Sequence, residues 1–189
     1  MNTKTKQMVG IGLFTAIVVV LQLLGGGIRF GIFSISLVLV PIVVGAAVYG
    51  WQSGAWLGLA FGITVLLSGD AGAFLAVDPL ATVAVVLIKG TFCGLFAGIV
   101  YYLMRKVNEF LAVILAAVIC PVVNTGIFLI GCNLFFLETI NGWAAAAGYQ
   151  DAGTFMIFGL AGVNFLIELG VNIILAPLIT RIIHLGRNK

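Results

Sequence analysis

The sequence predicts an all-α membrane protein, a bundle of six transmembrane helices with both termini in the cytoplasm. The chain has 189 residues, of which 62% are hydrophobic and only 8% are charged. A soluble domain carries about 25% charged residues, because its surface has to be hydrated. No charged residue occurs between Arg29 and Asp70, a stretch about twice as long as the roughly 20 residues that cross a bilayer once. The surface is therefore expected to face lipid, and the uncharged stretch is expected to fold back on itself.

The six spans follow from apolar runs that are interrupted by glycine, proline or charged residues. The segment from Tyr49 to Gly54 is predicted to provide the turn inside the long uncharged stretch. All the spans are predicted to belong to one domain that covers residues 1–189. The predicted spans are 8–24, 34–50, 53–69, 79–103, 110–137 and 154–180.

The distribution of cations predicts the orientation of the bundle. An even number of spans places both termini on one side of the membrane, and most cations outside the spans then fall on that side. The positive-inside rule makes this side cytoplasmic. Arg29 is predicted to be the cation on the outer side, where Asp70 is predicted to be one of four acids. The cytoplasmic cations are Lys4, Lys6, Arg105, Lys106, Arg181, Arg187 and Lys189.

Two spans carry glycines at every fourth position, which is the spacing that lets membrane helices approach closely. We expect both stripes to pack against other helices of the bundle. The stripes are Gly54, Gly58 and Gly62 in the third span and Gly90, Gly94 and Gly98 in the fourth.

A shorter small-residue pair, Gly12 and Ala16, lies in the first span. Two interpretations remain open for this pair. It packs inside the bundle, or it faces outward and binds a helix of another protein.

Lys89 and Glu168 are the charged residues predicted to lie near the middle of their spans. A charge without a partner in the hydrocarbon region costs roughly 3 kcal/mol on insertion scales, so both side chains should face inward. They form an ion pair between the fourth and sixth spans, or they line a polar cavity in which Lys89 meets a carboxylate or phosphate. The two interpretations are compatible, because a ligand can replace one partner of a pair.

Several asparagines also lie within apolar spans. Asn164, Glu168 and Asn172 are spaced by four, which places them on one stripe that should face protein. Asn133, in the outer half of the fifth span, is predicted either to contact a polar ligand or to bond another helix. Asn124, which follows the proline of that span, is predicted to satisfy the proline kink.

The first external loop, Gly25 to Ser34, contains four glycines and is therefore expected to be flexible. It forms either a lid over a binding site or a simple connector. As a lid, it would use Arg29 to attract an anion and Phe33 to cover an apolar group.

Motifs for catalysis or metal binding are absent from the sequence. It contains neither the GxxxxGK[ST] phosphate loop nor the HExxH metal motif. Cys93, Cys120 and Cys132 lack metal-binding spacing. We therefore predict no enzyme activity, no catalytic residue, no cofactor, no metal and no nucleic-acid partner.

The pattern resembles the substrate-binding S components of energy-coupling factor (ECF) transporters. The resemblance rests on the glycine-rich first loop, the segment Ser34–Ala46 and the segment Ile88–Thr91 that opens a glycine stripe. It implies a six-helix protein of the bacterial plasma membrane that captures a vitamin or related micronutrient from outside. It also implies partners, namely a transmembrane coupling subunit and two ATPase subunits that drive uptake.

The resemblance also implies roles for individual residues. The family's small-residue patch, which docks the coupling subunit, corresponds to Gly12 and Ala16. Lys89 and Arg29 favour an anionic substrate, such as pantothenate or another carboxylate vitamin, and the alternatives are a flavin, a pteridine or a nucleobase derivative. A structural or assembly protein without a ligand is the alternative. The implied substrate-binding residues are Arg29, Phe33, Lys89, Asn133 and Asn164, with Glu168 deeper.

Overall fold

The computed structural model describes residues 3–25, 29–30, 33–34 and 37–187. Almost all of this part is helical. A two-stranded antiparallel hairpin follows α1, and a π-helix of eight residues, Phe155–Gly162, separates α8 from α9. The elements are α1 Thr3–Gly25, β1 Arg29–Phe30, β2 Phe33–Ser34, α2 Leu39–Tyr49, α3 Trp51–Leu67, α4 Gly72–Leu75, α5 Pro79–Met104, α6 Glu109–Phe135, α7 Leu137–Ala146, α8 Ala152–Thr154, α9 Val163–Ile174 and α10 Ala176–Arg187.

Within the described residues, 4 helical segments are long and apolar enough to cross a membrane. They are Lys4–Gly25, Pro79–Met104, Glu109–Phe135 and Ala152–Ile174. Helices α2 and α3 are apolar but shorter, with 11 and 17 residues. At about 1.5 Å per residue, α2 is roughly 16 Å long, about half of the hydrocarbon thickness.

Two predicted spans differ from the observed helices. The second was predicted from residue 34, but Ser34 pairs with Arg29 in the hairpin and α2 begins at Leu39. The sixth was predicted as one helix, but the chain breaks at Leu175 between α9 and α10. Pro177 follows this break in the first turn of α10, where its missing N–H leaves no intrahelical hydrogen bond unmade.

The two glycine stripes pack against each other, as the predicted packing role requires. A Cβ atom added at Gly58 would overlap the backbone carbonyl of Gly90, and one added at Gly54 would overlap that of Gly94. The backbones of α3 and α5 are therefore in direct contact. These two helices form the most extensive pair in the bundle.

An apolar cluster, separate from the main core of the bundle, packs α4 and α7 against α6 and the π-helix. Its centre is Phe74 of α4, whose ring packs edge-on against the rings of Phe128, Phe136 and Trp143 at centroid distances of 5.5, 5.1 and 5.2 Å. Helix α7 lies mostly between the predicted fifth and sixth spans, and it buries Ile140 completely in this cluster. Aromatic side chains therefore join α4, α6 and α7.

Candidate functional site

An internal cavity of about 90 Å³ lies between α1, α3, α5, α6, the π-helix and α9. Because one water molecule needs about 10–15 Å³ of such volume, the cavity has room for several waters or a small ligand. Aromatic rings from α3, α4, α6 and α9 form much of its wall. The polar residues that line it are Gln22, Asp70, Thr82, Lys89, Asn124, Thr125, Asn164 and Glu168.

Lys89 of α5 lies on the cavity wall, between two aromatic rings. Its Nζ atom is 5.9 Å from the ring centroid of Phe61 and 5.3 Å from that of Phe128. Glu168 of α9 is 6% exposed. Among the charges that act on Lys89, Glu168 has the strongest attraction. The two charges predicted to face inward thus line the same cavity and attract each other, and both sequence-based interpretations remain compatible.

Asp70 is a cavity residue that sequence reasoning placed only among the external acids. Its Oδ2 atom accepts hydrogen bonds from Nε2 of Gln22 at 2.6 Å and from Oγ of Ser68 at 3.1 Å. Gln22 is 2% exposed and was missed. It is the single polar residue between Ala16 and Gly25. That isolation in an apolar helix was the signal that could have identified it.

The asparagine stripe of α9 faces the protein, as predicted. Asn164 and Glu168 line the cavity, and Asn172 is 1% exposed beyond it, where its Nδ2 atom donates to the Glu168 backbone oxygen at 2.8 Å. The π-helix ends at Gly162, so Asn164 lies in the first turn of α9. π-Helical segments are rare and occur often at functional sites.

Two cavity amides have oxygens without a hydrogen-bond partner. Within the described part of the chain, no donor reaches the buried Oδ1 atom of Asn124 or that of Asn164. The Oδ1 atom of Asn172 is in the same state, but this residue does not line the cavity. A buried polar atom without a partner costs about 1–3 kcal/mol, so the two cavity oxygens favour a ligand or a water as their donor.

Of the residues that the resemblance implied for the site, Asn133 does not line this cavity. Asn133 is exposed and lines a separate depression, because it lies about 100° around α6 from Cys132, which does face the cavity. The backbones of Arg29 and Phe33 form opposite strands of the hairpin. Their side chains lie outside the described part of the structure, so their roles stay predictions.

Comparison with known proteins identifies the family. Residues 6–180 match the family model described as ECF transporter, substrate-specific component. The chain belongs to this family. The resemblance seen in the sequence is thereby confirmed, and S components bind substrates for transport and are not enzymes. No curated protein sequence matches the chain significantly.

The S-component fold is also evident from a solved structure. The chain is similar to ThiT from Listeria monocytogenes with 21% sequence identity and a TM-score of 0.70, over 95% of this chain and 96% of that one. At this identity, the likeness shows a shared fold.

The first helix of this S component has an open outer face. Gly12 and Ala16 are exposed, and a Cβ atom added at Gly12 would meet no other atom within 4 Å. Val18, about 200° around the helix from Ala16, is completely buried. Of the two interpretations of the small-residue pair, packing inside the bundle is therefore wrong for this chain, and an outward-facing pair is what the structure contains.

Proposed function

We propose that the cavity around Lys89 and Glu168 is the site at which this S component captures a small micronutrient. The observation that carries the proposal is the convergence on one cavity of two opposite charges and of two buried amide oxygens that have no donor among the described residues. Charged residues inside a membrane domain are costly, and they mark substrate pathways by default. A bundle that needed only packing would fill this space with apolar side chains.

The proposed topology is the six-span arrangement predicted from the sequence, with both termini in the cytoplasm of a bacterium. Lys4 and Lys6 begin α1, and Arg105 and Lys106 lie in the turn between α5 and α6. The positive-inside rule places these ends in the cytoplasm. The connections that contain α4 and α7, at the other ends of these helices, then face the outer side.

The proposed substrate is a vitamin or a related compound, and a carboxylate such as pantothenate remains the sequence-based prediction for it. Mass spectrometry of small molecules released from the denatured protein tests the proposal directly. We expect one stoichiometric compound, which also raises the thermal unfolding temperature when added back. The absence of any released compound, together with no thermal shift across the water-soluble vitamins, would instead support a structural protein without a ligand.

The proposed partners are a transmembrane coupling subunit and two ATPase subunits. The sequence has no GxxxxGK[ST] motif, so energy from ATP has to come from other chains. We propose that the exposed Gly12–Ala16 face docks the coupling subunit, since small residues permit close helix contact in a membrane.

A bulky side chain on the Gly12–Ala16 face is expected to prevent docking of the coupling subunit without affecting capture of the substrate. Ala16→Leu inserts a bulky side chain where the helices would meet, and we expect affinity for the coupling subunit to fall about tenfold or more. Co-purification with the coupling and ATPase subunits measures this change. Ala84→Leu is the matched control, because Ala84 is exposed on α5. Equal assembly by both variants would place the docking surface elsewhere.

A further inference from the structure

The first helix carries both the proposed docking face and a residue of the cavity wall. It is one unbroken helix of 23 residues, Thr3–Gly25. Gly12 and Ala16 are exposed on it, whereas Gln22 is 2% exposed and lines the cavity. At about 1.5 Å per residue, Ala16 and Gln22 lie only about 9 Å apart along the helix axis. A displacement of α1 at the docking face therefore also displaces Gln22.

A hydrogen bond from Gln22 joins α1 to the turn after α3. Its Nε2 atom donates to Oδ2 of Asp70 at 2.6 Å, and the hydroxyl of Ser68, in the same turn, donates to that oxygen at 3.1 Å. Hydrogen bonds to carboxylates are stronger than those between neutral groups. Asp70 in turn attracts Lys89. The position of Gln22 therefore bears on the cation of the proposed substrate site.

The other described hydrogen bonds of α1 to its neighbours lie away from the cavity. The helix packs on α2 and α3. Near its start, Nε2 of Gln7 donates to the backbone oxygen of Tyr49 at 3.3 Å, and in its middle, Oγ1 of Thr15 accepts from the indole N–H of Trp56 at 3.2 Å. These four residues do not line the cavity. Of these three attachments, the one made by Gln22 is the one that reaches the cavity wall.

We propose that Gln22 is a positioning residue that links docking of the coupling subunit to the substrate site. In the free S component, its hydrogen bond to Asp70 holds the turn after α3 against α1. When the coupling subunit binds the Gly12–Ala16 face, α1 shifts and this hydrogen bond is lost. Linkage between two binding events is reciprocal, so a captured substrate changes the affinity for the coupling subunit by the same factor. This inference rests on the proposed function and adds the regulation of that site.

The direction of the effect follows from transport itself. A substrate captured outside has to be released inside, so the docked protein has to bind it more weakly than the free protein does. A partner shifts such an equilibrium only through contacts that differ between the two states. Loss of the Gln22–Asp70 hydrogen bond provides that difference, because the wall around Lys89 then loses the attachment of α1 to its acidic turn.

Hydrogen–deuterium exchange tests the inference without a substrate. The segment to follow is residues 68–75, in which the backbone N–H groups of Ser68, Gly72 and Leu75 donate hydrogen bonds, so that their exchange reports opening of the turn and of α4. The wild-type protein is measured in detergent, free and in complex with the coupling and ATPase subunits of the same bacterium. We expect complex formation to accelerate exchange in this segment about tenfold, as the loss of one hydrogen bond to a carboxylate implies.

Variants assign the response to Gln22. In Gln22→Leu, exchange should be fast in the free protein already, and complex formation should change it by less than about twofold. Gln7→Leu is the matched control, because it removes one hydrogen bond from the same helix about 22 Å from Gln22, and it should respond like the wild type. Gln22→Glu combined with Asp70→Asn restores a hydrogen bond in the reverse direction, so it should recover the response. A merely structural role of Gln22 would lower the thermal unfolding temperature and leave the response to docking unchanged.

The results separate this inference from the proposed function. Equal exchange in the free and the assembled wild-type protein would overturn the inference even where a variant does not fold. A wild-type response in Gln22→Leu would overturn it as well. In both cases the subunits still assemble, so the proposed docking stays intact. Failure of the wild-type protein to assemble with these subunits would reject the proposed docking and this inference together.

Discussion

Replacing Lys89 with methionine is expected to abolish nutrient capture while the helical bundle still assembles. Without the ammonium group, Glu168 loses the attraction of Lys89, and any anionic group of the substrate loses its partner. Removing one member of a buried charge pair costs about 2–5 kcal/mol, so affinity should fall about a hundredfold or more. The measurement is the amount of nutrient retained through purification and its affinity when added back.

Two further variants make this experiment specific. Lys106→Met removes an exposed lysine from the turn between α5 and α6, so it should retain nutrient like the wild type. The double variant Lys89→Met with Glu168→Gln removes both opposite charges. If Lys89 contacts the substrate, the double variant regains thermal stability but not binding. Unchanged affinity of Lys89→Met would show that the site lies elsewhere.

The second large effect is expected from a single methyl group at Gly58. Gly58→Ala places a Cβ atom on the backbone carbonyl of Gly90, and neither backbone has a flexible side chain that can move away. Overpacking typically costs 1–3 kcal/mol, and a clash between two backbones should reach about 3 kcal/mol or more. We expect a low yield of folded protein and a large fall in the thermal unfolding temperature in detergent.

Gly126→Ala provides the matched control for this change. A Cβ atom added at Gly126 of α6 meets no atom within 4 Å. Alanine is favoured over glycine inside a helix by about 1 kcal/mol, so this variant should be as stable as the wild type or slightly more stable. Equal thermal unfolding temperatures of the Gly58 and Gly126 variants would contradict the observed contact between α3 and α5.

The cavity residues that the sequence predicted are those whose orientation follows from a local rule. A charge within an apolar span has to face inward whatever its neighbours are, and this rule identified Lys89 and Glu168. The four-residue spacing identified Asn164 on the same stripe as Glu168. The packing of the glycine stripes was equally direct to predict, because the four-residue spacing alone indicates close contact between helices.

The remaining parts of the site depend on how helices are rotated and where they end. Asn133 and Cys132 are adjacent in the sequence, yet only Cys132 faces the cavity, and nothing local distinguishes the two orientations. Asp70 becomes a cavity residue because the turn after α3 brings it to Gln22, 48 residues earlier in the chain. The π-helix before α9 also has no sequence pattern of its own that would have predicted it.

The contact between the α3 and α5 backbones restricts how a substrate can enter. With no side chains between them, these helices have no torsions that can absorb a relative displacement, so they should move as one unit. Phe61 and Lys89 belong to that unit, whereas Asn164 and Glu168 belong to α9 and Gln22 to α1. One half of the proposed binding site should therefore stay fixed, and the other half should be able to move. Entry and release should change the separation of Lys89 from Glu168 much more than that of Lys89 from Phe61.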